Sequence, residues 1–118
     1  MVKRTPGVPD HILALLRRDR LQEARQALER IVRAEPREVV AKELLAQVLT
    51  RIADTAFGGG DLIAAIASYD AALALRPRDK QALFNRGVAL YHAGRQREAA
   101  ESYREVVSID PDFAHAHS

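Results

Sequence analysis

The sequence predicts an all-α protein built as a solenoid of three antiparallel helix pairs, and three observations carry that reading. The first is composition: 118 residues, 47% hydrophobic and 29% charged, rich in Ala, Leu, Arg and Glu but with only three Phe and three Tyr, favour helix over strand. The second is an internal repeat, because the segments EARQALERIVRAEP, AAIASYDAALALRP and EAAESYREVVSIDP align without gaps. Ala24, Leu28, Ile31, Ala34 and Pro36 thereby share slots with Ala65, Tyr69, Ala72, Leu75 and Pro77, and with Ala99, Tyr103, Val106, Ile109 and Pro111. The third is the period: Pro77 and Pro111 stand 34 residues apart, a spacing typical of stacked helix pairs.

Each element follows in order. Residues 1–8, with Pro6 and Gly7 among them and Pro9 behind, read as a flexible lead-in. The repeat domain is expected over residues 9–113, in units of about 9–38, 39–79 and 80–113, with 114–118 a chain end or the start of a further helix. In the first unit Ile12 stands where a small residue belongs, and Asp19 where the turn glycine belongs. No helix precedes this one, so a larger Ile12 meets no clash, and Asp tolerates the left-handed turn conformation better than most residues. From Ala24 the apolar slots step by four, three and three, which keeps them on one helical face until Pro36 stops the helix.

The middle unit is longer, since Ala24 and Ala65 are 41 residues apart whereas Ala65 and Ala99 are 34 apart. With Ala46 taken as the counterpart of Gly87, the seven extra residues fall between Ala46 and Gly60. Seven residues make almost two helical turns and add about 10 Å without rotating the buried face. Ile52, Ala53, Ala56 and Phe57 continue that face. The pattern predicts one long helix from about Glu38 to about Phe57, ended by Gly58, Gly59 and Gly60, with Asp61 capping the next. The alternative ends the helix near Ala53 and leaves DTAFGGG as a loose loop. In the last unit Leu83, Gly87 and Leu90 form a helical stripe that ends at Gly94, and a second helix runs from about Gln96 to Ile109.

The sequence carries little that reads as catalytic or metal-binding chemistry. Three adjacent glycines raise the possibility of a phosphate loop, but FGGGDL follows a helix rather than a strand and lacks the spaced glycines and the lysine such loops use. His11, His92, His115 and His117 show no metal-ligand spacing, and the chain has no cysteine. Ser68, Ser102 and Ser108 have no nucleophile context, and the carboxylates are scattered. No catalytic residue, metal site or cofactor is predicted, and the chain is read as a non-enzyme. The formal net charge of +2 comes from 15 Arg interleaved with Asp and Glu, the pattern of a solvated surface. Arg4, Arg17, Arg18, Arg20 and Arg25 are diluted by Asp19 and Glu23 and carry no interleaved aromatic, so nucleic acid is not an expected partner. No membrane segment or secretory signal is predicted, and the expected location is the cytoplasm.

The helix pairs resemble the tetratricopeptide repeat family. Gly87, Tyr91, Gly94, Ala99, Tyr103 and Pro111 carry the resemblance in the last unit, and Ala46, Leu49, Gly60, Ala65, Tyr69 and Pro77 carry it in the middle one. The resemblance implies a right-handed solenoid whose first helices line a concave groove that binds a protein, as an extended peptide or a partner helix. Transferred slot by slot, it places Leu13, Leu16 and Arg17 in the groove, then Glu43, Leu44, Gln47, Thr50 and Arg51, then Phe84, Asn85, Val88, Tyr91 and His92. It makes Asn85 a hydrogen-bonding amide for a ligand backbone, and Arg17, Arg51 and His92 attractors of a carboxylate. The family's clamp for acidic chaperone tails is not expected, because its Lys, Asn and Arg slots hold Pro9, Leu13, Leu44, Phe84 and Val88.

Two further expectations concern assembly. The last second helix lacks a cover, which points to self-association into a homo-oligomer through Ala100, Tyr103 and Val107, with protruding Ile52 and Phe57 as a second patch. The alternative function is the repeat segment of a larger bacterial enzyme, such as a glycosyltransferase; the bacterial origin is read from the Ala/Arg bias alone.

Overall fold

The computed structural model describes residues 8–116, with side chains as far as Phe113. Seven helices follow one another among the described residues: α1 (Asp10–Arg17), α2 (Leu21–Ala34), α3 (Val39–Gly58), α4 (Leu62–Leu75), α5 (Lys80–His92), α6 (Gln96–Ile109) and α7 (Pro111–Ala116). Each packs on its neighbours in sequence, which makes three antiparallel pairs stacked into a right-handed solenoid measuring 48 × 28 × 24 Å.

Local chemistry explains the punctuation. Glu35, Arg76 and Asp110, each just before a proline, take extended ψ angles of 80°, 79° and 92° and end α2, α4 and α6. The proline ring disfavours helical backbone at the residue before it, so these three stops share one cause. Inside the pairs, the turns use a left-handed residue: Asp19 at φ 59°, Gly60 at φ 84° and Gly94 at φ 81°. The reading of Asp19 as a substitute turn residue thus holds. Carboxylates of Asp61 and Asp79 accept from the backbone N–H groups of Ala64 and Ala82, three residues on, and cap α4 and α5.

The seven extra residues are helical. α3 runs without a break from Val39 to Gly58, and the loose-loop alternative is not observed. It serves two cores at once. Ala41, Leu45, Val48 and Leu49 join Val8, Ile12, Ala24, Leu28 and Ala72 in the first, while Ala53 joins Ala65, Ile66, Tyr69, Ala89, Leu90 and Ala99 in the second. Small residues let the helices approach closely: a Cβ built on Gly87 would stand 2.7 Å from Cε1 of Tyr103.

Two expectations are corrected here, and the surroundings of a third side chain are fixed. Val8, assigned to a flexible lead-in, is buried in the first core, against which Leu13 also packs; the rest of the lead-in lies outside the described residues. An apolar residue just before a helix commonly closes over the first turn in this way. Ile52 and Phe57 do not protrude, because the turns they occupy pack against the first and second cores respectively. Tyr103 is half-buried on Gly87 and Phe84, so its ring is already engaged within the chain.

Candidate functional site

The first helices α3 and α5 lie side by side, with Tyr69 of α4 between and behind them, and together they enclose a concave pocket of about 310 Å³. Its lining comprises Asp54 and Phe57 from α3, Tyr69 from α4, and Phe84, Asn85 and Val88 from α5. Spacings of three and four residues explain why each helix presents its contribution from one face.

A polar cluster holds the pocket's charge. Tyr69, 2% exposed, donates its hydroxyl hydrogen to Asp54 Oδ1, and Asn85 Nδ2 donates to the same oxygen across 3.4 Å. Asn85 Oδ1 in turn accepts from Gln81 Nε2 at 2.9 Å. Burial, followed by the hydrogen bond and the charge of Asp54, pushes the Tyr69 phenol well above its ordinary value, so it remains a donor at any physiological pH. Both bonds to Asp54 fall on Oδ1, and Oδ2 receives none from the described residues. The Asp54 side chain is exposed and no described cation pairs with it.

The residues singled out from sequence divide into two groups. Phe84, Asn85 and Val88 line the pocket, and the ring of His92 meets Phe57 edge-on at 5.7 Å and Tyr91 at 6.0 Å. Tyr91 is 59% exposed beside them. Arg17, Glu43, Gln47 and Arg51 do not line the pocket; they are exposed on α1 and along the stripe of α3 that leads toward Asp54. Arg51 is engaged by the carboxylate of Asp19 at the first turn, so its charge is directed within the chain. Of the assembly candidates, Ala100 and Val107 are exposed on α6.

Sequence reasoning missed Asp54 and gave Tyr69 no part in the site. The signal was available in the turn glycines: Gly94 and Gly60 are 34 residues apart, and the same offset carries Val88 to Asp54 and Gly87 to Ala53. Anchoring the unit on Ala46 instead placed its groove residues seven positions too early.

Among the described residues no helix is long and apolar enough to cross a membrane, and no group of His, Asp and Glu is placed to hold a metal ion. Residues 114–118 were expected as a chain end or the start of a further helix; the backbone as far as Ala116 belongs to α7, and His117 and Ser118 lie outside the described residues.

Comparison with known proteins gives a consistent picture. The family model for the tetratricopeptide repeat matches residues 10–52 and 50–112. A tetratricopeptide repeat and J domain-containing co-chaperone, DNJ1 of Fusarium oxysporum f. sp. lycopersici, is 34% identical over 82 residues, 70% of this chain and 16% of that protein. The TPR repeat-containing thioredoxin TTL4 of Arabidopsis thaliana is 40% identical over 58 residues, 49% of this chain and 8% of that one. The chain therefore spans less than a fifth of the length of either relative. Among solved structures, MamA superposes with a TM-score of 0.57 at 18% identity, over 95% of this chain and 78% of that one. MamA 41-end from Desulfovibrio magneticus RS-1 gives 0.55 at 20% identity, over 95% and 63%. At these identities the likeness is one of fold.

Proposed function

The chain belongs to the tetratricopeptide repeat family, and we propose that it is a non-enzymatic protein-interaction module whose groove, centred between α3 and α5, holds a peptide or partner helix. One observation carries this reading: the stacked first helices leave a concave pocket, lined by apolar rings and a few convergent polar groups, where a side chain of a partner fits. Arg17, Glu43, Gln47 and Arg51 extend the surface toward the N-terminal end, and Tyr91 and His92 extend it past Phe57. Cytoplasmic location belongs to the same proposal.

The test is affinity capture from native lysate with the wild-type chain, a Val88→Arg variant that fills the pocket, and an Ala67→Arg variant on an exposed site of α4. Loss of partners with Val88→Arg alone supports the groove. Equal recovery by all three rejects it.

Self-association is a second reading, favoured by the exposure of Ile63 (84%) and Val107 (48%). Light scattering on the wild type beside Val107→Glu decides it: a monomer at high micromolar concentration sinks the homo-oligomer. Service as the repeat segment of a larger enzyme, with the glycosyltransferase as one instance, stays a proposal; the two curated relatives carry their matching segments within far longer chains.

A further inference from the structure

We infer that the pocket between α3 and α5 recognises a basic side chain, lysine or arginine, of an extended partner segment, with Asp54 as the residue that selects it. The inference rests on the groove reading and deepens it by naming the chemistry of the occupant.

Charge is the first argument. Asp54 is held in place by two neutral donors, Tyr69 and Asn85, so its negative charge is oriented but not cancelled. Cations nearby in the fold are engaged elsewhere: Arg51, one turn away on the same stripe of α3, pairs with Asp19, and Arg86, next to Asn85, pairs with Asp70 and donates to Ser102 Oγ at 2.6 Å. A carboxylate with one oxygen receiving both donors leaves the other for an incoming N–H.

Shape is the second. The rest of the lining is Phe57, Phe84, the Tyr69 ring and Val88. Lysine and arginine carry a long apolar stem beneath a charged head, so such a wall takes the stem while Asp54 takes the head. Aromatic faces also attract ammonium and guanidinium groups through the ring quadrupole. A neutral apolar side chain would leave the Asp54 charge covered and without an opposite charge, and an acidic one would add repulsion. The pocket is therefore selective for cations as well as attractive to them.

The experiment is selection of a displayed random peptide library on immobilised wild-type chain, followed by titration of the selected peptides against variants. Enrichment of lysine or arginine at one fixed position, with affinity falling about tenfold for Asp54→Asn and for the peptide whose basic residue is replaced by norleucine, is the expected result. Binding should also weaken with added salt for the wild type and much less for Asp54→Asn. Tyr69→Phe keeps the carboxylate and frees its orientation, so a smaller loss is expected there. Thermal melts confirm that each variant is folded. Peptides that Val88→Arg blocks but that lack a basic residue, or that bind Asp54→Asn as well as wild type, overturn the cation pocket and leave the groove standing. Peptides indifferent to Val88→Arg, or an empty selection, overturn both. Basic peptides that match an Arg-containing segment of this chain would make a second copy the occupant, with the same pocket chemistry.

Discussion

The hydroxyl of Tyr69 on α4 donates to the carboxylate of Asp54 on α3, joining a fully buried ring of the second core to an exposed charge in the groove. Stability and the state of the site are therefore coupled through one hydrogen bond. Tyr69→Phe keeps the ring in place and deletes the donor. Asp54 remains solvated, so the loss is that of one hydrogen bond, about 1 kcal/mol in a denaturant melt.

The same contact predicts a pH dependence. The Tyr69 proton is released from the unfolded chain near its ordinary value of 10.0 but retained in the folded chain, where burial first and Asp54 second oppose ionisation. Stability is thus full below about pH 10 and falls as the pH rises above it, because the folded state then binds more protons than the unfolded one. Burial of Tyr103 acts in the same direction. Denaturant midpoints between neutral and strongly alkaline pH should show the decline, and Tyr69→Phe should make it shallower. An unchanged slope in that variant would remove Tyr69 as its source.

Gly87 gives a prediction in which two effects compete. Alanine is the better helix former by about 1 kcal/mol, yet its Cβ would press on the Tyr103 ring, which Phe84 backs at a centroid distance of 5.7 Å. Overpacking of this kind costs about 1–3 kcal/mol. Gly87→Ala is expected to lower the melting temperature; a rise would mean that the ring swings aside at little cost.

The three left-handed turns can be compared directly. No atom crowds a Cβ at Gly60 or Gly94, so Gly60→Ala and Gly94→Ala test backbone strain alone and should each cost about 1–2 kcal/mol. Asp19→Gly relieves strain at φ 59° but removes the exposed pair with Arg51, a contact of small value in water. Its stability should lie within about 1 kcal/mol of wild type. Thermal unfolding of the three variants side by side gives the order.

At the C-terminal end, Lys80 pairs with Asp110 at 2.6 Å and lies 5.3 Å from the Phe113 ring centre, which ties α7 to α5. The hydrogen bond from Lys80, helped by the backbone N–H of Phe113, holds the Asp110 carboxyl below its ordinary value. This contribution is present above the unfolded value of 3.8 and is lost as the pH falls through the lower folded value. Asp110→Asn, which keeps an acceptor for the Phe113 N–H, should speed amide exchange in α7 at neutral pH while leaving α3 and α4 protected.

Much of this was legible in the chain alone. Helix ends could be read because the residue before Pro36, Pro77 or Pro111 is barred from helical backbone by a purely local clash. The left-handed turns at Asp19, Gly60 and Gly94 were legible for the same reason, since φ is a property of one residue. The site was legible in part: Phe84, Asn85 and Val88 were found because α5 has the ordinary length, and Asp54 was lost because α3 does not.

By itself, then, the sequence determined the helices, their stops and turns, the 34-residue period and the family, all of which rest on local sterics and on repetition. Two registers of α3 were open in the sequence, one counted from Ala46 and one from Gly60, and the tertiary structure decided between them by setting which stretch faces α5. Seven residues turn a helix through nearly two full revolutions, leaving a drift of about 20°, so Ala46 and Ala53 lie on the same buried face and either satisfies the pattern. The neighbours break that tie. Tyr69, Ala89 and Leu90 pack in the core that takes Ala53, and with that register Asp54 rather than Gln47 lines the pocket beside Asn85.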